Sequence, residues 1–232
     1  MNADDGRRRP ALPVSAAASA AAPPVGYREV YALRLSASSR TILALNLGAI
    51  VMVVPAAALF LWPAVTRGFL AQDLVFTLSF SLLDAGILLA ATVGVVLAHE
   101  AVHGFVMWCF GAQPRYGIKW ELLAAYATAS GHFFGRDQFL IVALAPLLTL
   151  TPLLWVVVWW APAGAGWMAL ALAGILNTVG AIGDLFMAWR ALAHPASALV
   201  LDEEDGMRVY VKVKATDDVR QASEETPSDA GG

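Results

Sequence analysis

The stretch GILLAATVGVVLAHEAVHGFVMWCFG, residues 86–111, decides how this chain folds. It is apolar at nearly every position, yet it contains the H-E-x-x-H pattern of His99, Glu100 and His103. Residues four apart lie on the same face of a helix, so the two imidazoles can bind one metal ion. Glu100 lies close enough to act on a water molecule held there. The stretch therefore predicts a metal site on a helix that is apolar enough to lie in a membrane.

Composition extends this prediction to the whole chain. The 232 residues are 59% hydrophobic and only 14% charged, whereas soluble domains are about 25% charged. Crossing a bilayer takes roughly 20 apolar residues. We therefore predict an all-α integral membrane protein whose transmembrane domain covers residues 26–195. Its four predicted spans are at about 41–64, 86–110, 139–160 and 167–189. We expect residues 1–25 to form a disordered tail and residues 196–232 an acidic, mostly disordered tail.

The distribution of positive charge predicts the orientation. If four spans place both termini in the cytoplasm, only Arg67 of the 15 Lys and Arg residues lies on the outer side. The positive-inside rule favours this topology over its inverse. The net charge of -3 and the lack of a basic run beyond residues 7–9 give no indication of a nucleic-acid partner.

The second apolar stretch, residues 74–110, is too long for one crossing because it would form roughly 55 Å of helix. If residues 74–93 cross, Asp84 lies in the middle of the membrane and the motif lies in the cytoplasm. If residues 86–108 cross, Asp84 lies near the outer surface and the motif lies in the inner part of the membrane. We favour the second register because it avoids a carboxylate at the membrane centre.

A third metal ligand is expected from the fourth span. A catalytic zinc ion has three protein ligands and leaves a fourth position for water. Asp184 lies about 9 Å from the cytoplasmic end of its span, and the histidine pair about 13 Å from theirs, so the depths are comparable. Asn177 is a candidate hydrogen-bonding partner of Asp184. His132, in the loop before the third span, is an alternative third ligand or a group that orients substrate.

These polar groups can also have purely structural roles. The two histidines can pack between helices, and Asp184 can hydrogen-bond to a neighbouring helix. If they bind a metal, two imidazoles and a carboxylate suit Zn²⁺ best. The connector over residues 111–138 is of mixed character, and within it residues 120–129 are compatible with a strand, a helix or an interfacial loop. Pro146 and Pro152 predict a kinked third helix whose freed carbonyls need partners. In the C-terminal tail, only residues 208–213 hint at a strand.

At this point the chain resembles a known family, the prokaryotic membrane proteins described as "putative zincin peptidases". The matching residues are HEAVHG at 99–104, SGHFFGRDQFLIVALAP at 130–146 and GD at 183–184. More remotely, the chain is similar to the site-2 class of intramembrane metalloproteases. That resemblance implies zinc ligands at His99, His103 and Asp184, with Glu100 as general base. Leu185 after the aspartate departs from the pattern of that class, which has glycine there.

These observations predict a zinc-dependent endopeptidase in the plasma membrane of a prokaryote. We expect it to cleave membrane proteins or peptides near the cytoplasmic face, with the 111–138 connector pairing with the substrate as an added strand. One alternative is a non-catalytic pseudoprotease that recruits a membrane partner. Another is a metal transporter or sensor, although the first and third spans lack the further polar residues that transport would require.

Overall fold

The structure, a computed structural model, describes residues 22–35, 38–68, 81–119, 124–204 and 206–213. These residues form five helices and six strands. The helices are α1 (Ser39–Arg67), α2 (Leu82–Cys109), α3 (Arg136–Trp160), α4 (Ala165–Gly180) and α5 (Ile182–Leu192). The strands are β1 (Tyr27–Arg34), β2 (Arg115–Lys119), β3 (Ala124–Thr128), β4 (Phe133–Gly135), β5 (Leu199–Glu203) and β6 (Gly206–Lys212).

Within the described part of the chain, four helical segments are long and apolar enough to cross a membrane: α1, α2, α3, and α4 together with α5. The prediction of four such segments is confirmed. Their outer faces carry exposed large apolar side chains, among them Val51, Leu89 and Leu148. Such surfaces are unfavourable in water and suit a lipid environment. At the start of α2, Ser81 and Asp84 form a capping box, so Asp84 caps a helix end, as the favoured register requires.

The fourth segment differs from the single helix expected over residues 167–189. It divides at Ala181, where the backbone leaves regular helical geometry with φ -67° and ψ 2°. Gly180 and Gly183 flank this point, and glycine lowers the helical propensity of the segment. Asp184 consequently lies in the first turn of α5, where the helix dipole stabilises a carboxylate.

The described part of the chain is mostly helical, as expected, but it is not all-α, because four strands form one antiparallel sheet in the order β1-β6-β5-β4. β1 precedes α1, β4 lies between α2 and α3, and β5 and β6 follow α5. Since these segments share one sheet, they lie on the same side of the helices. An even number of membrane crossings would give this arrangement.

The expectation of a mostly disordered tail after residue 195 is also incorrect for residues 199–212. This part of the chain forms the β5–β6 hairpin, in which Leu199 pairs with Tyr210 and Glu203 with Gly206. The hint of a strand at residues 208–213 corresponds to β6. Val200 and Val209 are fully buried in a core shared with the helix ends, and burial of these side chains supplies the ordering energy. Residues 1–21 and 214–232 lie outside the described part, so disorder there stays a prediction.

The connector between α2 and α3 contains an antiparallel β2–β3 hairpin and then β4. Residues 120–123, between β2 and β3, lie outside the described part. Gly104, the residue after the H-E-x-x-H motif, lets this hairpin approach α2. A Cβ atom at position 104 would overlap the ring of Tyr116 on β2. The missing side chain therefore allows the hairpin to lie directly against the helix that carries the motif.

Candidate metal centre

The two histidines of the motif and Asp184 converge on one point. His99 and His103 lie one turn apart on α2, and Asp184 lies on α5. The ligand atoms of the three residues all lie within 4.8 Å of one another. His99 Nε2 is 3.1 Å from Asp184 Oδ2, and His103 Nε2 is 3.5 Å from Asp184 Oδ1. The structure thus brings together the three residues that the sequence predicts as ligands from their comparable depths in the spans.

A buried amide orients the first histidine. His99 Nδ1 lies 3.0 Å from Asn177 Oδ1. The amide nitrogen of Asn177 donates to the Thr151 hydroxyl at 3.0 Å and to the Pro146 carbonyl at 3.4 Å. These two bonds leave the amide oxygen to face His99, so Nδ1 is the protonated nitrogen of the neutral imidazole and Nε2 carries the lone pair. Asn177 therefore contacts His99, whereas the sequence suggested that it bonds to Asp184.

The second histidine hydrogen-bonds to a backbone carbonyl that lacks its usual helical partner, because a proline lies four residues later. Pro146 has no N–H, so it cannot donate to the carbonyl of Val142 four residues earlier in α3. His103 Nδ1 lies 2.9 Å from that carbonyl oxygen and donates to it instead. The bond satisfies a buried acceptor inside an apolar helix and fixes the ring so that Nε2 faces Asp184.

The donor set fits zinc. Both Nε2 lone pairs face the Asp184 carboxylate, and such an arrangement is repulsive unless a proton or a metal cation lies between the groups. At zinc–ligand distances of roughly 2.0–2.1 Å, tetrahedral geometry separates two ligand atoms by about 3.4 Å. Asp184 Oδ2 lies 3.1 Å from His99 Nε2 and Asp184 Oδ1 lies 3.5 Å from His103 Nε2, so each imidazole is near this separation from one of the two carboxylate oxygens. Three protein ligands leave a fourth position, as in catalytic zinc sites.

Glu100 lines a cavity of about 170 Å³ beside the histidines. The side chain is half-buried, and the backbone N–H of Ala127 on β3 interacts with its carboxylate. His103 and Asp184 also line this cavity. A water molecule or a substrate carbonyl in the cavity would therefore lie beside both the ligand set and a carboxylate.

His132 is placed away from the ligand set. It lies in the turn before β4, where its ring packs against Phe134 at a centroid distance of 4.5 Å. Among the described residues, the group of side chains arranged to hold a metal ion comprises His99, His103 and Asp184. The geometry thus favours Asp184 over His132 as the third ligand.

The sequence analysis missed Asp202, which lines the same cavity from β5. Only 6% of this residue is exposed, and its Oδ2 atom has no hydrogen-bond partner among the described residues. Burial raises the pKa of the Asp202 carboxyl to about 7, although Thr128, His103 and the Ala129 N–H favour its charged form. The signal in the sequence is an acidic run, residues 202–205, that begins with Asp202 directly after the apolar residues 199–201, but this segment is predicted to be part of the tail.

Asp202 should make stability depend on pH. Its pKa is about 7 in the folded protein and near 3.8 in an unfolded chain. Between these values the folded state keeps a proton that the unfolded state releases, so the free energy of unfolding falls as pH rises. We expect the advantage in Tm of Asp202→Asn over wild type, measured on metal-free protein, to increase from about pH 5 to about pH 8. A constant or shrinking difference would show that the carboxyl is not a buried acid.

Metal analysis of purified variants tests the ligand set. We expect His99→Ala, His103→Ala and Asp184→Ala each to abolish stoichiometric zinc binding, because each removes one of the three predicted protein ligands. Asn177→Ala should weaken zinc affinity by about 10- to 100-fold, since it releases the ring of His99. His132→Ala is the matched control and should keep one zinc ion per chain. Loss of zinc from the His132 variant alone would refute the assignment.

Comparison with protein families supports the prediction that this group of side chains is a metal centre. A family model described as "Putative zincin peptidase" matches residues 92–199. The comparisons with curated proteins and with solved structures found no match. Over residues 92–199, which include both histidines, Glu100 and Asp184, the chain matches the "Putative zincin peptidase" family, and the resemblance predicted from its motifs is confirmed.

Proposed function

We propose that this protein is a zinc-dependent, membrane-embedded endopeptidase that cleaves membrane-associated proteins near the cytoplasmic face. The observation that carries the proposal is the position of Glu100 in the cavity beside His103 and Asp184. A structural or storage site for zinc needs no carboxylate beside its open position. A peptidase needs one there to accept and deliver protons.

Glu100 is proposed to act as the general base and then as the general acid. When bound by His99, His103 and Asp184, zinc supplies Lewis acidity that polarises a water molecule and the scissile carbonyl. Glu100 accepts a proton from the water as its oxygen attacks the carbonyl carbon. The same carboxyl then delivers the proton to the amide nitrogen, which leaves as an amine. The rigid bonds from Asn177 and Val142 keep both imidazoles in place during these transfers.

The outer edge of β3 offers a place for the substrate backbone. Ala125, Tyr126 and Ala127 line the cavity, and the Ala127 N–H faces Glu100. Backbone groups alternate in direction along a strand, so the N–H of Ala125 also faces away from β2. An extended substrate segment can add there as a further strand and present its carbonyl to the centre. A helical transmembrane substrate would first have to unwind at that point.

The proposed cytoplasmic location rests on charge. The segments that form the four-stranded sheet are those that the positive-inside rule assigns to the cytoplasm, and the ligand set lies towards this end of α2. His103 is seven residues before the helix end at Phe110, roughly 10 Å along the axis. This placement supports cleavage near the cytoplasmic surface of the membrane, and the resemblance to a prokaryotic family supports a prokaryotic plasma membrane.

Replacing the proposed base tests the activity. We expect Glu100→Gln to lower the cleavage of co-expressed membrane reporter proteins by a factor of at least about 10², while zinc content stays at one per chain. Immunoblotting of the reporters and elemental analysis of the purified variant provide the two measurements. His132→Ala is again the control and should cleave normally.

The alternatives make different predictions in the same experiment. A pseudoprotease that recruits a partner would bind zinc and leave reporter processing identical in the wild type and the Glu100→Gln variant. A transporter or sensor would change metal uptake or metal response without changing reporter size. Wild-type protein that binds no zinc would contradict the peptidase, the transporter and the sensor together.

A further inference from the structure

One wall of the cavity beside Glu100 is acidic. Asp202, Glu203 and Glu204 line it from the end of β5 and the following turn. This wall belongs to the sheet, and therefore to the side of the molecule that the charge pattern assigns to the cytoplasm. Its carboxylates are distinct from those already given roles, since Glu100 is the proposed base and Asp184 a proposed ligand.

The three acidic side chains differ in how fully they are paired. The Glu203 carboxylate accepts from Arg208 Nε at 2.7 Å. Glu204 is exposed and interacts with the Tyr126 hydroxyl. Asp202 differs from both, because it is almost fully buried and its Oδ2 atom has no hydrogen-bond partner among the described residues.

A buried carboxylate oxygen without a hydrogen-bond partner, such as Asp202 Oδ2 within the described part of the chain, is costly for the fold. Burial also raises the pKa of the Asp202 carboxyl to about 7, so that without a cation it stays protonated at a pH where an exposed carboxyl is ionised. A positively charged group entering the cavity would stabilise the ionised form of Asp202 and donate a charge-assisted hydrogen bond to it. The cavity is thus prepared for a cation close to the reacting centre.

A second metal ion is not favoured as that cation. Among the described residues, the side chains that could jointly hold a metal are His99, His103 and Asp184, and Asp202 is not one of them. An organic cation differs from a metal ion because a single carboxylate, such as that of Asp202, is enough to bind it. A polypeptide carries such cations as lysine and arginine side chains.

We propose that Asp202 binds a lysine or arginine side chain of the substrate polypeptide, on the cytoplasmic side of the bond that is cleaved. This inference rests on the proposed peptidase function. Lysine and arginine are enriched at the cytoplasmic ends of transmembrane segments, so a membrane-protein substrate would carry such residues at the depth of the acidic wall. Asp202 is then a specificity-determining residue, which recognises the basic flank of the substrate.

Peptide binding to a cleavage-deficient protein tests this inference. The protein is the full-length, zinc-loaded Glu100→Gln variant in detergent micelles. The probes are two synthetic fluorescent peptides with the same apolar segment, followed by a flank that contains either one lysine or one acetyl-lysine. Acetylation removes the charge and keeps the aliphatic stem. By fluorescence anisotropy, we expect the lysine peptide to bind about tenfold more tightly.

Further substitutions in the same background assign the preference to one carboxylate. Adding Asp202→Asn should reduce the ratio of the two affinities to about one, whereas Asp202→Glu should retain a preference for lysine. Asp137→Asn removes an exposed carboxylate on α3, outside the cavity lining, and should leave the ratio unchanged. Equal affinities, no binding of either peptide, or a preference that survives Asp202→Asn would overturn the inference.

Cleavage by the wild-type protein separates this inference from the proposed function. Cleavage of both peptides with equal kcat/KM would support the peptidase and overturn the role of Asp202. A lysine preference in binding, combined with no cleavage by the wild type, would contradict the peptidase and still support a cation site at Asp202.

Discussion

The contact between Asp184 and the two histidine Nε2 atoms is the constraint on which the rest of this structure depends. It joins α2 to α5 inside an apolar bundle, where three ionisable groups would be costly without a shared cation. The break at Ala181 places Asp184 in a first helical turn, and Gly104 brings the β2–β3 hairpin against the same helix. The helix break and the close approach of the hairpin therefore both contribute to the same small volume around these three side chains.

The groups around the ligands show how an apolar bundle keeps such a site rigid. Pro146 frees the Val142 carbonyl, and His103 uses it as an acceptor. Thr151 holds the amide of Asn177, which in turn holds His99. Each imidazole therefore has a fixed tautomer and a fixed orientation before any metal binds, which lowers the reorganisation required on binding. Pro146 of α3 is thus part of the site and not merely a bend in a helix.

Sequence reasoning predicted the four long helices and the convergence of the motif with Asp184, because helical periodicity and span depth are local properties. It failed for the sheet, whose strands come from before the first helix, between the second and third, and after the last. Such pairings join residues as distant as Tyr27 and Lys212, and no local pattern indicates them. Asp202 was missed for the same reason, since only the sheet brings it to the cavity.

The central claim is that one metal ion is held by two imidazoles and one carboxylate. X-ray absorption at the zinc edge of the loaded full-length protein measures this ligand set most directly. The account predicts nitrogen and oxygen ligands at roughly 2.0–2.1 Å, with the multiple-scattering pattern of two imidazoles. A sulfur ligand, which would implicate Cys109, or a pattern that requires one or three imidazoles would contradict it.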